Sequence, residues 1–185
     1  MARIEYKNDR TRATEEMEGS DGRANVSSRS NSRVYYNSRD ERQTYAVPYD
    51  HESAAAGEFS VYLENTSSTK EMVISRASFN SVEFARVKLW FVTGTAAGGT
   101  LITPTNLNKG SSNDADALVR QAAAGDAITG LTTQGLIDHE FVSATGHGEF
   151  SINDTVRLGQ NDAIVIEYDE GVTGDLVGVI DIFFE

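Results

Sequence analysis

The chain has 185 residues, 39% of them hydrophobic, no cysteine and a formal net charge of −12. That length holds one domain, or one domain with an arm, and the lack of cysteine excludes both a disulfide framework and a thiolate metal site. The charge is unevenly placed: residues 1–42 carry nine basic and eight acidic side chains, with eight of the twelve arginines, while the remainder carries seven basic against twenty acidic, a net of −13. An acidic body of that kind repels nucleic acid, so no nucleic-acid partner is expected.

The opening stretch, MARIEYKNDR, is charged throughout and lacks the apolar stretch of a signal peptide. No apolar run approaches the ~20 residues that span a bilayer. The expectation is a protein made in a cytoplasm, with no membrane partner. ATEEME suits one or two helical turns. The polar stretch GRANVSSRSNSRVYYNSRDERQTY, residues 22–45, shows no apolar periodicity. VYY and TYAVPY suit short extended pieces, and Pro48 biases Val47 toward extended geometry. Residues 1–57 read as an extended N-terminal arm and 58–185 as the body.

Strand signals begin after Gly57. FSVYLENT (59–66) puts Phe59, Val61 and Leu63 on one face and Ser60, Tyr62 and Glu64 on the other. EMVISRASF (71–79) follows. EFARVKLWFVTG (83–94) alternates Phe84, Arg86, Lys88 and Trp90 with Ala85, Val87, Leu89 and Phe91; the second set is the expected core face, with Trp90 near an end or against a partner. TLITPTNL (100–107) is interrupted by Pro104, which places it at a sheet edge. In SSNDADALVRQAAAGD, Asn113 as a cap and Gly125 as a stop favour a helix, while the all-β surroundings favour a strand, which is the expectation. AITGLT (127–132), GLIDHEFVSAT (135–145), GEFSIN (148–153), AIVIEYDEG (163–171) and DLVGVIDIFFE (175–185) complete the series, the last two joined by DEGVTGD at hairpin length. The fold class is all-β: an antiparallel β-sandwich, jelly-roll-like, with an extended arm.

Chemical motifs are sparse. His51, His139 and His147 follow no HExxH or HxH spacing and read as solvated or packed side chains. There is no GxSxG turn. Asp169, Glu170 and Asp175 could surround Ca²⁺, but their spacing is not that of an EF-hand, and a solvated acidic turn fits better. GTAAGG lacks the Lys–Ser/Thr ending of a phosphate loop. No catalytic residue, metal or cofactor is expected.

Arg23, Arg29, Arg33, Tyr35, Tyr36 and Arg39 are the candidate partner-binding residues. Arginine forks bind carboxylates bidentately, and Arg and Tyr are enriched at protein interfaces. Ordering about 45 polar residues costs on the order of 50–90 kcal/mol in conformational entropy. An arm with so few apolar side chains needs something to lie against.

GRANVSSRSNSRVYYNSRD, ENTSSTKEMVIS, FVTGTAAGGTLITPTNLNKGSSNDA and LGQNDAIVIEYDEG together resemble small structural proteins of tailed bacteriophages, of the capsid cement or decoration type. The resemblance covers most of the chain, and GTAAGGT with TPTNLNKGSS is its most suggestive part. It implies a jelly-roll body, a homotrimer, and a place on the outer capsid surface of the virion. There the arm would fasten neighbouring major capsid proteins. A tail, fibre or other appendage protein, with Trp90 or Tyr62 as a glycan platform, is the alternative it leaves open.

Overall fold

The computed structural model describes residues 4–7, 14–17, 43–52, 56–152, 154–171 and 174–185. The chain divides into two compact units, Met1–Ser32 and Arg33–Glu185. In the first, β1 (Ile4–Lys7) pairs antiparallel with β2 (Thr14–Met17), Ile4 opposite Met17 and Lys7 opposite Thr14. Thr14–Met17, the described part of ATEEME, is therefore strand and not a helical turn. Six residues form too few helical hydrogen bonds to offset nucleation, and IEYK supplies a backbone partner.

The second unit contains β3 (Thr44–Glu52), β4 (Glu58–Asn65), β5 (Met72–Ser81), β6 (Ala85–Ala97), β7 (Thr100–Leu101), β8 (Thr105–Asn106), β9 (Ala117–Gln121), β10 (Thr129–Val142), β11 (Gly146–Glu149), β12 (Val156–Leu158), β13 (Ala163–Gly171) and β14 (Asp175–Phe184). One sheet runs β10-β6-β13-β4-β9-β7 and the other β11-β5-β14-β3-β8, with β12 beside β5. Eight strands make the frame: β4, β13, β6 and β10 in one sheet, β3, β14, β5 and β11 in the other. Passing from one frame strand to the next, the chain changes sheet at every step except β6 to β10. That order is a jelly roll, two Greek keys wrapped into a sandwich.

The crossing order corrects one expectation. β13 and β14 are not a hairpin: β13 pairs with β4 and β6, β14 with β3 and β5. The DEGVTGD link carries the chain from one sheet to the other. A second correction concerns the arm. Thr44–Glu52 is an inner strand, paired with β14 from Thr44↔Phe183 to Glu52↔Asp175. Its Tyr45, Val47, Tyr49 and His51 are buried, so the sheet begins well before Glu58. Pro48 is tolerated because, among the described residues, β8 pairs with Tyr45 and Ala46 and not with Pro48, so no strand on that side of β3 calls for the missing donor.

The core lies between the sheets. Val61, Leu63, Val87, Leu89, Ile164 and Ile166 from one meet Val47, Ile74, Phe79, Ile180, Ile182 and Phe184 from the other. A second cluster, with Tyr62, Val92, Ala122, Ile128 and Val165, occupies the opposite face of the β6-β13-β4 region. Because both faces of β13 are covered, AIVI is apolar at consecutive positions. The bulge in β4 shifts its parity: Val61 pairs with Ile166 but Phe59 with Glu167. Phe59 thus packs with Tyr62 on the second cluster, not beside Val61 and Leu63 as alternation predicts.

The expected strand at 100–107 is two short ones. β7 ends the first sheet and β8 the second, with Pro104 between them, so both pieces are edges. The 113–124 region contains the strand β9, paired with β4 from Asn65↔Ala117 to Val61↔Gln121. Residues 98–128 thus form an excursion from the β6–β10 hairpin that caps the open sides of β3 and β4. The Tyr45 hydroxyl fastens it by donating to the Asp114 carbonyl at 2.9 Å.

Two glycines sit under aromatic rings across strand pairs. Gly178 pairs with Tyr49 and Gly148 with Phe79. In each case an added Cβ would collide with the opposing ring. The Tyr49 hydroxyl is buried without a hydrogen-bond partner among the described residues.

Candidate protein-contact face

β10, β6 and β13 lie side by side at one flank of the sandwich, and their outward side chains are brought into line by register. Phe141 is opposite Arg86, His139 opposite Lys88, and Leu136 opposite Trp90. Glu167 is opposite Lys88 on the other side of β6. A register shift between Tyr168 and Glu170 makes Asp169 the extra residue of a bulge, and its carboxylate reaches both Arg86 and Lys88.

The result is a ladder of rings and charges. Arg86 Nε donates to Asp169 Oδ2 at 2.6 Å, and Arg86 Nη2 bonds the same oxygen. Lys88 Nζ lies 2.9 Å from Asp169 Oδ1 and 3.9 Å from Glu167 Oε2. Trp90 Nε1 donates to Glu167 Oε2 at 2.6 Å. The Arg86 guanidinium sits 5.8 Å from the Phe141 ring centroid and Lys88 Nζ 5.5 Å from that of Trp90, both within cation–π range. Phe141 stacks on Phe84 at 6.2 Å, and His139 meets Phe141 edge-on at 6.0 Å. Burial pushes the Asp169 carboxyl up, but Lys88 and Arg86 outweigh it and hold the group below its ordinary value.

The charges of this ladder are mostly covered, while its apolar members are not. Phe84 is 50% exposed, Phe141 53% and Leu136 47%. Single exposed apolar residues are normal, but adjoining large ones mark contact surfaces. Among the described residues β10 is also the terminal strand of its sheet, paired there only with β6. Its edge is guarded by three register shifts and by Asp138 and Glu140, devices that oppose the sideways addition of another strand. The surface on offer is therefore the outer face, not the edge.

Other expected site residues are distributed differently. Arg23, Arg29, Arg33, Tyr35, Tyr36 and Arg39 lie outside the described residues. Tyr62 is buried, its hydroxyl donating to Glu64 Oε2 at 2.8 Å, so it is no platform for a sugar ring. Trp90 is half-buried against the second apolar cluster. Asp169 is engaged by Arg86 and Lys88, and no group of three or more metal-ligating side chains occurs among the described residues. The pairing of Phe84 with Phe141 was not visible in the sequence. Phe84 immediately precedes β6, in phase with its outward series, but nothing local shows which strand lies beside it.

His139 and His147 are exposed, whereas His51 is buried between the sheets. Its Nδ1 is 2.9 Å from Ser60 Oγ and its Nε2 3.6 Å from Glu58 Oε2. Burial lowers its pKa from the ordinary 6.5, against the opposite pull of Glu58, Asp175 and Asp50. Above about pH 6.5 both folded and unfolded chains hold it neutral. As pH falls below that value the unfolded chain takes up a proton that the folded chain refuses, and stability drops until the lower folded pKa is reached. Unfolding free energies from urea titrations between pH 7 and pH 5 should fall with a slope of up to about 1.4 kcal/mol per pH unit from this group. His51→Gln should flatten that slope, and an unchanged slope would refute the assignment.

Fold and face together define a class: a jelly-roll sandwich with one flank capped by its own excursion and half-exposed aromatic rings on the other. Comparison with protein-family models and with curated proteins gives no match for the chain.

Proposed function

We propose that this chain is a virion structural protein of a tailed bacteriophage, a cement or decoration subunit on the outer capsid surface. The observation that supports the reading most is the union of a closed jelly-roll body with a contact face of half-exposed rings on a strongly acidic chain. Such a body offers other proteins a rigid surface. The arm, with Arg23, Arg29, Arg33, Tyr35, Tyr36 and Arg39, supplies carboxylate-binding forks and aromatic anchors for the major capsid protein. The role is binding without chemistry. A subunit that binds only the assembled lattice shifts the equilibrium toward it, and many bridging copies raise the effective affinity.

The test uses heads of the encoding phage stripped of this subunit. The full chain should bind them and raise their resistance to heat. Replacing Arg23, Arg29, Arg33 and Arg39 together with Ser should abolish binding while leaving the thermal transition of the protein in place. Undiminished binding, or location of the native subunit on the tail by electron microscopy, would refute the proposal.

A further inference from the structure

We propose that Lys88 and Asp169 condense into an amide, a covalent cross-link between β6 and β13, with Glu167 carrying the proton and Arg86 holding the oxygen on which charge builds. The subunit makes this modification on itself, so it requires neither a substrate nor attachment to a capsid.

The reacting groups are already in contact. Lys88 Nζ lies 2.9 Å from Asp169 Oδ1, an oxygen bonded to the carbon it would attack. Groups held together in this way can reach effective concentrations of about 10⁵–10⁸ M. Arg86 donates to the other oxygen, Oδ2, from Nε at 2.6 Å and also from Nη2. That is where the negative charge of a tetrahedral intermediate collects. Glu167 Oε2 is 3.9 Å from Lys88 Nζ and is fixed by the Trp90 indole N–H at 2.6 Å. The backbone sets this arrangement: Glu167 is opposite Lys88, and Asp169 is the extra residue of the bulge between Tyr168 and Glu170. Bulges re-aim side chains beside reactive sites, and this one brings the Asp169 carboxylate to Lys88.

The step balances without a co-reactant. One proton passes from the Lys88 ammonium by way of Glu167 to Asp169 Oδ1, leaving an amine and a carboxylic acid. Nζ then adds to Cγ while Arg86 holds the charge on Oδ2. Nζ gives a second proton to Oδ1, the Cγ–Oδ1 bond breaks with its electron pair on oxygen, and water leaves. One ammonium and one carboxylate become one amide and one water. The side chains of Lys88, Asp169 and Glu167 are each less than a fifth exposed, and a neutral amide removes the cost of keeping two of those charges away from water. Once Asp169 is neutral, Arg86 still has an acidic residue, Glu170, opposite it in the register. Burial raises the Asp169 carboxyl, but Lys88 and Arg86 together hold it below its ordinary value, so the neutral pair is scarce and the bond forms slowly. Because that proton moves within the pair, the rate should be level across neutral pH.

The two residues are 81 positions apart, so the bond closes a long loop and restricts the unfolded chain as a disulfide does. The chain has no cysteine, and an amide, unlike a disulfide, holds under reducing conditions.

Mass spectrometry of the full chain, kept folded at neutral pH and sampled over weeks, tests the proposal. The intact mass should fall by about 18 Da, one water, and digestion should yield a branched peptide joining Lys88 to Asp169. Protein held in urea for the same time should keep its full mass, and so should Lys88→Arg, which preserves the charge. Asp169→Asn should form the same bond with loss of ammonia, about 17 Da. Glu167→Gln should slow formation about a hundredfold, the contribution of a positioned proton carrier. Full mass in the folded wild-type protein at the end of the series would overturn the proposal. So would a loss of water that persists in Lys88→Arg, the mark of a succinimide at some aspartate. An undiminished rate in Glu167→Gln would overturn the role given to Glu167.

Discussion

Gly178→Ala is expected to destabilise the protein by about 3 kcal/mol, at the upper end of what overpacking costs. Gly178 lies in β14, between Phe79 of β5 and Tyr49 of β3. An added Cβ would stand 2.5 Å from the Ser78 carbonyl oxygen and collide with the Tyr49 ring and hydroxyl. The oxygen belongs to the β5 backbone, which cannot withdraw without disturbing its pairing with β14. The ring is buried and has no room to swing aside. Gly135→Ala is the control: a Cβ there meets nothing within 4 Å, and the substitution should be nearly neutral. Urea unfolding of the two variants settles the matter, and equal midpoints would show that the close approach at Gly178 is unimportant.

Asn65→Asp is expected to cost about 3–5 kcal/mol, the range for leaving a charge buried among mismatched groups. Asn65 is fully buried at the end of β4. Its Nδ2 donates to the carbonyls of Leu158 at 2.8 Å and Lys70 at 2.9 Å, and its Oδ1 accepts from Ser67 N at 2.9 Å. One side chain thus holds the 66–70 turn and the end of β12 to β4. A carboxylate keeps the Ser67 bond but turns an acceptor toward two carbonyl oxygens. The folded protein should then hold this acid above its unfolded pKa of about 3.9. The sign follows: the loss is full at neutral pH and shrinks as pH falls through the raised folded value, because a protonated acid regains one donor. A deficit relative to wild type that does not shrink on acidification would contradict the geometry.

Much of the fold was legible because alternation is a direct record of a strand with one buried face. Ala85, Val87 and Leu89 follow it, and Pro104 marks a genuine edge. What escaped was information held by neighbouring strands. The bulge that turns Phe59 away from Val61 depends on Glu167, a hundred residues along the chain. AITGLT and GLIDHEFVSAT read as two strands, separated at Thr133 and Gln134. Pairing with β6 instead absorbs the interruptions as register shifts within β10. The β13–β14 link has hairpin length, and length alone does not tell a hairpin from a change of sheet. His51 looked like part of a polar leader, since the partners that bury it come from other strands. The same limit applied to the aromatic face: Phe84, just before β6, is outward as the alternation indicates, but its stacking on Phe141 depends on the β6–β10 register.

The place of β14 has a consequence for biosynthesis. Of the described strands it is made last, yet it occupies the gap between β5 and β3, with nine backbone pairs to each. A nascent chain that has emerged only as far as Gly171 holds two strands of that sheet with an unfilled lane between them. Closing the lane joins residues from 95 (Leu176 and Ser81) to 139 (Phe183 and Thr44) positions apart, the kind of long-range pairing that slows folding. The sandwich therefore closes only after residues 175–184 have left the ribosome, and until then the facing edges of β3 and β5 are what a chaperone or a stray strand would find.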